Sequence, residues 1–137
     1  MTSNFDKQGK KLYRLAKNDA SVDMKALLDG LTEDKITLRA VVDWENPDDK
    51  STPLMCAARN GGIESVSALL AAGADVDLKN KYGDTALMRA SMHSNMKYVS
   101  ALLAAGATVD MRNKAGDTAL MMAATYGSIE CVSALLA

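Results

Sequence analysis

Three segments of this chain begin Thr52-Pro53-Leu54-Met55, Thr85-Ala86-Leu87-Met88 and Thr118-Ala119-Leu120-Met121, spaced 33 residues apart, and this repetition constrains the fold more than any other feature. A second block recurs at the same interval, Val66 to Ala74, Val99 to Ala107, and Val132 to Ala137, where the chain stops. Residues 52–83 and 85–116, compared without gaps, share 18 of 32 positions, which chance does not produce. A chain of 137 residues has room for one cooperative unit, so the repeats must stack on one another rather than form separate cores.

Each repeat reads as two helices and a turn. The threonine hydroxyl accepts a backbone N–H at a helix start, and Pro53 takes the first helical position, where no donor is missed. Leu54, Ala57 and Ala58, then Leu87 and Ala90, then Leu120, Ala123 and Ala124 fall at helical spacing on one face. Gly61-Gly62, Ser94-Asn95 and Gly127-Ser128 interrupt the pattern, and a second helix with Ile63, Val66, Leu69 and Leu70 follows, repeated downstream. Gly73 and Gly106 supply the left-handed residue that ends a helix. The polar stretches 74–83 and 107–116 suit a projecting turn or hairpin. Hydrophobic content is 48% but aromatic content only 4%, so the interior is built of Ala, Leu, Val and Met, and the helices must pack closely.

This pattern resembles the ankyrin-repeat family, whose 33-residue unit carries a Thr-Pro-Leu-His-x-Ala signature. Residues 52–137 match strongly. Leu12, Ala16, Lys17, Asn18, Ala26, Leu27 and Leu28 align with Leu54, Ala58, Arg59, Asn60, Ala68, Leu69 and Leu70 at a constant offset of 42, a degenerate first unit. The nine extra residues fall between Gly30 and Ser51, where Glu33 to Val42 is expected to form a short helix before Trp44 and the turn at Asn46-Pro47-Asp48-Asp49. The resemblance implies an all-α solenoid of stacked helix-turn-helix units with projecting turns. It divides into a polar N-terminal arm (1–11), a degenerate capping repeat with an insertion (12–50), and three repeats (51–83, 84–116 and an incomplete 117–137).

Departures from the signature matter as much. Met55, Met88 and Met121 replace its histidine, so the family's threonine–histidine hydrogen bond is absent. Arg89 stands where neighbouring repeats have Cys56 and Met122, and two readings stay open: an outward-pointing binding residue, or a solvated arginine whose stem covers apolar surface. The last helix, with Ile129, Val132, Leu135 and Leu136, has nothing after it to cover its outer side. The expectation is that the natural protein is longer or that this end pairs with another chain; a natural end with a modest exposed patch is the plain alternative.

Catalytic chemistry finds no support in the residues. The lone histidine, His93, has no Cys or Asp at ligand spacing and reads as a helix-end surface residue. The acidic pairs Asp48-Asp49 and Glu33-Asp34 suit turns and first helical turns. No phosphate-binding glycine loop with its lysine occurs. Cys131 lies in an apolar stripe and reads as core, whereas Cys56 is expected to be partly exposed but lacks a base, and neither is a nucleophile. The chain is therefore expected not to be an enzyme and to need no cofactor or metal. Two cysteines without a CxxC spacing suit a reduced, intracellular setting, cytoplasmic or nuclear. The polar first eleven residues are expected to be neither a signal peptide nor an anchor, and no apolar run approaches the roughly 20 residues of a membrane span. A net charge of −1 favours neither nucleic acid nor an anionic membrane.

The resemblance implies a module that binds a protein or peptide on a concave face made of first helices and turns. Its recognition positions correspond here to Asp48, Asp49, Ser51, Lys79, Lys81, Tyr82, Asp84, Arg112, Lys114 and Asp117 in turns, and Arg59, Asn60, Met92, His93, Thr125 and Tyr126 on first helices, with Arg89 beside them. Tyr82 and Tyr126 are the first candidates for contact area, because aromatic residues are common hot spots, with an ordinary surface tyrosine as the alternative. Lys79, Lys81, Arg112 and Lys114 repeat at the period and form a basic line, diluted by Asp84 and Asp117. The partner expected from that line has an acidic face, although lysines that merely keep the turns soluble remain open. The competing role is a structural array that assembles through its C-terminal end, or the interaction part of a larger enzyme.

Overall fold

The threonines that head the repeats do cap helices. In the computed structural model, which describes residues 3–18, 20–31, 35–60 and 62–137, the hydroxyls of Thr52, Thr85 and Thr118 each accept the N–H three residues on, at 3.3 Å. The side chains of residues 35–37 lie outside that description. Among the described residues the chain forms nine helices and no strand. The helices are α1 (Asn4–Lys17), α2 (Ser21–Asp29), α3 (Lys35–Val42), α4 (Pro53–Asn60), α5 (Ile63–Ala71), α6 (Ala86–Met92), α7 (Met96–Ala104), α8 (Ala119–Thr125) and α9 (Ile129–Leu136).

They stack in two layers. The inner helices α1, α4, α6 and α8 pack in series, and the outer helices α2, α5, α7 and α9 do the same behind them. Alanines make the close approach possible: Ala16, Ala57, Ala58, Ala90 and Ala123 are completely buried. Between the layers lie Leu12, Leu54, Leu87, Val66, Leu69, Val99 and Leu102, all sealed from solvent. Burial of each such leucine or valine is worth about 1.5–3 kcal/mol against leaving it exposed. The paired leucines of the outer helices divide their labour, Leu69 and Leu102 going fully inward while Leu70 and Leu103 remain half-buried. In α2 the inward member is the second of the pair, Leu28.

Gly73 and Gly106 end α5 and α7 with φ of 88° and 89°. In both, the glycine N–H donates to the carbonyl three residues back and the next N–H to the carbonyl five back, so the last turn's carbonyls are satisfied. The turns that follow stack too. Lys81 N–H donates to the Asp49 carbonyl at 2.8 Å, and Lys114 N–H to the Tyr82 carbonyl at 3.0 Å, giving a ladder along the turn tips.

Two expectations for the N-terminal region need correction or completion. The polar segment ahead of residue 12 is not an arm from Asn4 onward. Ser3 caps the helix by accepting the Asp6 N–H at 3.1 Å, and α1 runs from there, while residues 1–2 lie outside the described residues. The inserted helix is present as Lys35–Val42; Glu33-Asp34, like Gly61, lies outside the described residues. The insertion returns over α1: α3 packs on it, and Trp44 seats its indole against Gly9, where any Cβ would collide with the ring. Trp44 Nε1 donates to Asp6 at 2.8 Å, and Tyr13 meets the indole edge-on at 5.6 Å.

Candidate functional site

Because the inner helices pack in series and the turns ladder onto one another, residues at equal positions in successive repeats form columns along the stack. One column runs Lys17, Arg59, Met92, Thr125 and the next Asn18, Asn60, His93, Tyr126. Arg59, Asn60, His93, Thr125 and Tyr126 are exposed, and Met92 is half-buried. The Thr125 hydroxyl is turned back onto the Met121 carbonyl at 2.8 Å. His93 closes α6, and its imidazole is held below its ordinary value, first by partial burial and then by the charges of Arg59 and Arg89.

Along the turns, Lys79, Lys81, Tyr82, Arg112 and Lys114 are exposed, Tyr82 by 51% and, at the end of α8, Tyr126 by 55%. Lys79 Nζ reaches across to the next turn and donates to the Arg112 carbonyl at 3.0 Å. Lys81 Nζ sits 5.5 Å from the centre of the Tyr82 ring, a geometry in which the cation and the ring face attract. The Asn80 and Asn113 carboxamides hold each turn closed, Oδ1 accepting two backbone N–H groups in each. Asp117 is half-buried, donating its N–H to Asn113 Oδ1 at 2.9 Å.

Asp84 and Arg89 differ from expectation. Asp84 is buried rather than free in its turn: it accepts from Asn113 Nδ2 at 2.9 Å and lies 3.5 Å from the Arg89 guanidinium. Arg89 is neither outward-pointing nor solvated; its side chain is 15% exposed and paired. An aspartate from the turn and an arginine from the helix behind it thus lock α6 to the turn before it and, through Asn113, to the turn that follows α7. Ser51 occupies the matching place one repeat earlier, is buried, and leaves Asn80 Nδ2 without a partner.

Cys56 likewise differs from the partly exposed residue expected: it is buried, and burial raises its thiol pKa. It lies against the Tyr13 hydroxyl, which also accepts from Asn46 Nδ2 at 3.1 Å. Burial first, then the thiol, pushes the Tyr13 phenol up to about 12. The signature histidine is missing, but its hydrogen-bonding role is partly taken over. In α6 the Met88 sulfur accepts the Thr85 N–H at 3.5 Å while Thr85 accepts from Met88, a reciprocal cap.

The structure gathers Arg59, Asn60, Arg89, Asp48, Asp49 and Ser51 around one cleft of about 250 Å³. Tyr13, Lys17 and Asn46 line it too, and sequence reasoning had not singled them out. The signal for Lys17 was present in its match to Arg59 at the offset of 42; Asn46 sits in the insertion, which has no counterpart in the other repeats. Tyr82 and Tyr126, by contrast, occupy different parts of the surface, a turn tip and a helix end. Among the described residues no group of three or more His, Cys, Asp and Glu is placed to hold a metal, and no helix is long and apolar enough to cross a membrane.

Stacked helix pairs joined by laddered turns define a repeat solenoid, a class that presents extended surfaces rather than a single closed pocket. The family model described as ankyrin repeats (3 copies) matches residues 12–113 and 54–137, and the chain belongs to this family. Its members are generally non-catalytic protein–protein interaction modules. No curated protein matches the chain.

Proposed function

We propose that this chain is a non-catalytic interaction module, an adaptor, scaffold or regulatory fragment, that binds a protein or peptide partner with an acidic face along its inner helix ends and turn tips. The observation that carries this reading is the placement of large and cationic side chains in solvent on a rigid frame. Tyr82 and Tyr126 are half-exposed, while Lys81, Arg112 and Lys114 project from turns whose backbones are hydrogen-bonded to one another. Rigid anchors lose little conformational freedom on binding. Affinity-purification with mass spectrometry, comparing the chain with a Tyr82→Ala/Tyr126→Ala variant, tests it: specific partners are lost from the variant. Unchanged capture refutes the tyrosine anchors, and capture indifferent to salt and to charge reversal at Lys81 and Lys114 refutes the acidic partner.

One observation favours a second reading, self-association through the α8–α9 end. Met55 and Met88 are 3% and 1% exposed beneath the following repeat, whereas the equivalent Met121 is 43% exposed, and Leu136 also lies open. A second copy on this face would restore the burial. Sedimentation that reports a monomer across a wide concentration range, unchanged by Met121→Lys, rejects it.

A further inference from the structure

The cleft at the α1–α4 end of the surface carries opposite charge on its two walls. On the helix wall, Lys17 and Arg59 occupy matching positions of successive inner helices. Both are exposed, and neither has an ion-pair partner among the described residues. The third cation, Arg89, is already held by Asp84. On the turn wall stand Asp48, exposed, and Asp49, one of whose carboxylate oxygens accepts the Ser51 N–H at 2.9 Å.

The two walls do not neutralise each other. The ion pairs among the described residues are Arg39–Asp43 and Arg89–Asp84, and neither spans the cleft. The Asn46–Tyr13 hydrogen bond and the Tyr13–Cys56 contact fill its floor. That floor is uncharged at neutral pH, since burial holds both the phenol and the thiol in their protonated forms. Charge selection therefore belongs to the walls. The positive charge of Arg59 is also felt one repeat further on, where it helps keep His93 neutral.

We propose that this cleft is the orienting subsite of the interaction surface: it takes a mixed-charge segment of a partner polypeptide, setting a carboxylate against Lys17 and Arg59 and a cationic side chain against Asp48 and Asp49. The inference rests on the binding reading above and narrows it. A uniformly acidic segment, which the turn lysines alone would accept, meets repulsion at Asp48 and Asp49. A polyanion such as single-stranded nucleic acid meets the same repulsion. The subsite also sets direction, because the helix column that begins with Lys17 and Arg59 continues with Met92 and Thr125. The charged part of the segment lies over α1 and α4, and its uncharged remainder runs toward α8.

The test is selection of short peptides from a random display library on the full chain. Enriched peptides are then titrated against Arg59→Glu, Asp48→Lys and the Tyr82→Ala/Tyr126→Ala variant. The expected peptides carry both signs of charge. Each reversal weakens them about tenfold or more, because like charges brought together at an interface cost several kcal/mol. Reversing the matching charge on the peptide restores binding to the reversed variant. Peptides that ignore both reversals but are lost with the tyrosines overturn the subsite and leave the interaction surface standing. Peptides that ignore all of these substitutions, or a selection that enriches none, overturn both. A single-stranded oligonucleotide that binds the cleft as well as the peptides overturns the requirement for mixed charge.

Discussion

Gly83 and Gly116 hold the same place in successive turns and nearly the same backbone conformation, with φ of 79° and 85°. Replacing either by alanine forces a Cβ into the left-handed region, which costs about 1–2 kcal/mol. Only Gly83 has a neighbour above it. A Cβ there would lie 2.8 Å from the Lys114 nitrogen and 3.0 Å from the Asn113 Cα, whereas at Gly116 nothing comes within 4 Å. The first distance is about 0.6 Å short of ordinary contact, which begins at 3.4 Å, and both obstacles are backbone atoms that no rotamer change can move. Relief requires the third turn to lift, stretching the Lys114-to-Tyr82 hydrogen bond from its 3.0 Å. Overpacking of this kind costs about 1–3 kcal/mol, and a weakened hydrogen bond up to about 1 kcal/mol more. Gly83→Ala is therefore expected to lose about 2 kcal/mol more than Gly116→Ala. In urea unfolding followed by far-ultraviolet circular dichroism, a slope of about 2 kcal/mol/M separates the two midpoints by about 1 M. Hydrogen exchange at the Lys114 amide should accelerate in Gly83→Ala alone. Equal midpoints, or a larger loss at Gly116, would refute the contact between successive turns as a source of stability.

The remaining predictions concern the packing and pairing that hold α1, α6 and the turns in place. Gly9→Ala gains helix propensity in α1 but drives a methyl into the Trp44 ring, with an expected net loss of about 1–3 kcal/mol. Trp44 is the sole tryptophan, so displaced indole emission reports the event directly, and unchanged emission with unchanged stability speaks against the packing. Asp84→Ala strands the Arg89 guanidinium and Asn113 Nδ2 together and should cost about 2–4 kcal/mol in chemical denaturation. A double-mutant cycle with Arg89→Met should recover part of that loss; strict additivity would show the pair to be uncoupled. The Tyr13 phenol, pushed up from 10.0 to about 12, stays protonated in the fold at pH values where the unfolded chain ionises. Its contribution to stability is complete below pH 10 and disappears as pH rises from there toward 12. In tyrosinate absorbance, Tyr13→Phe should remove a late-ionising component of the titration; a late component left undiminished by the substitution assigns it elsewhere.

The inner and outer helices of the three clear repeats were legible because their burial pattern is periodic and local: a threonine cap and an apolar face lie within each repeat, and a terminating glycine within the first two. The first unit was legible through its offset of 42, but its start was not, since a helix that opens on polar residues and a Ser3 cap looks like an arm without Trp44 to lie against it. Arg89 and Asp84 were misread for a related reason. Each looks like a surface charge within its own repeat, and only Asn113, contributed by the next turn, makes the pair a buried junction. Cys56 was expected to be partly exposed because its cover, Tyr13, is 43 residues away in sequence.

By itself, then, the sequence determined the repeat, the helices within it and the family, since capping, periodicity and turn chemistry act over a few residues. It also marked the columns of side chains that vary from repeat to repeat. The tertiary structure decided which of those side chains are free to bind. Stacking turned Asp84 and Arg89 inward to serve the frame and left Tyr82 and Tyr126 in solvent. Folding the insertion back over α1 brought Asn46 and Tyr13 together on the floor of a cleft between Lys17 and Arg59 on one side and Asp48 and Asp49 on the other. The difference is one of range: exposure depends on which segment lies next in the stack, and the bonds that join successive turns link residues 29 to 33 positions apart, as from Asn113 to Asp84 and from Lys79 to Arg112.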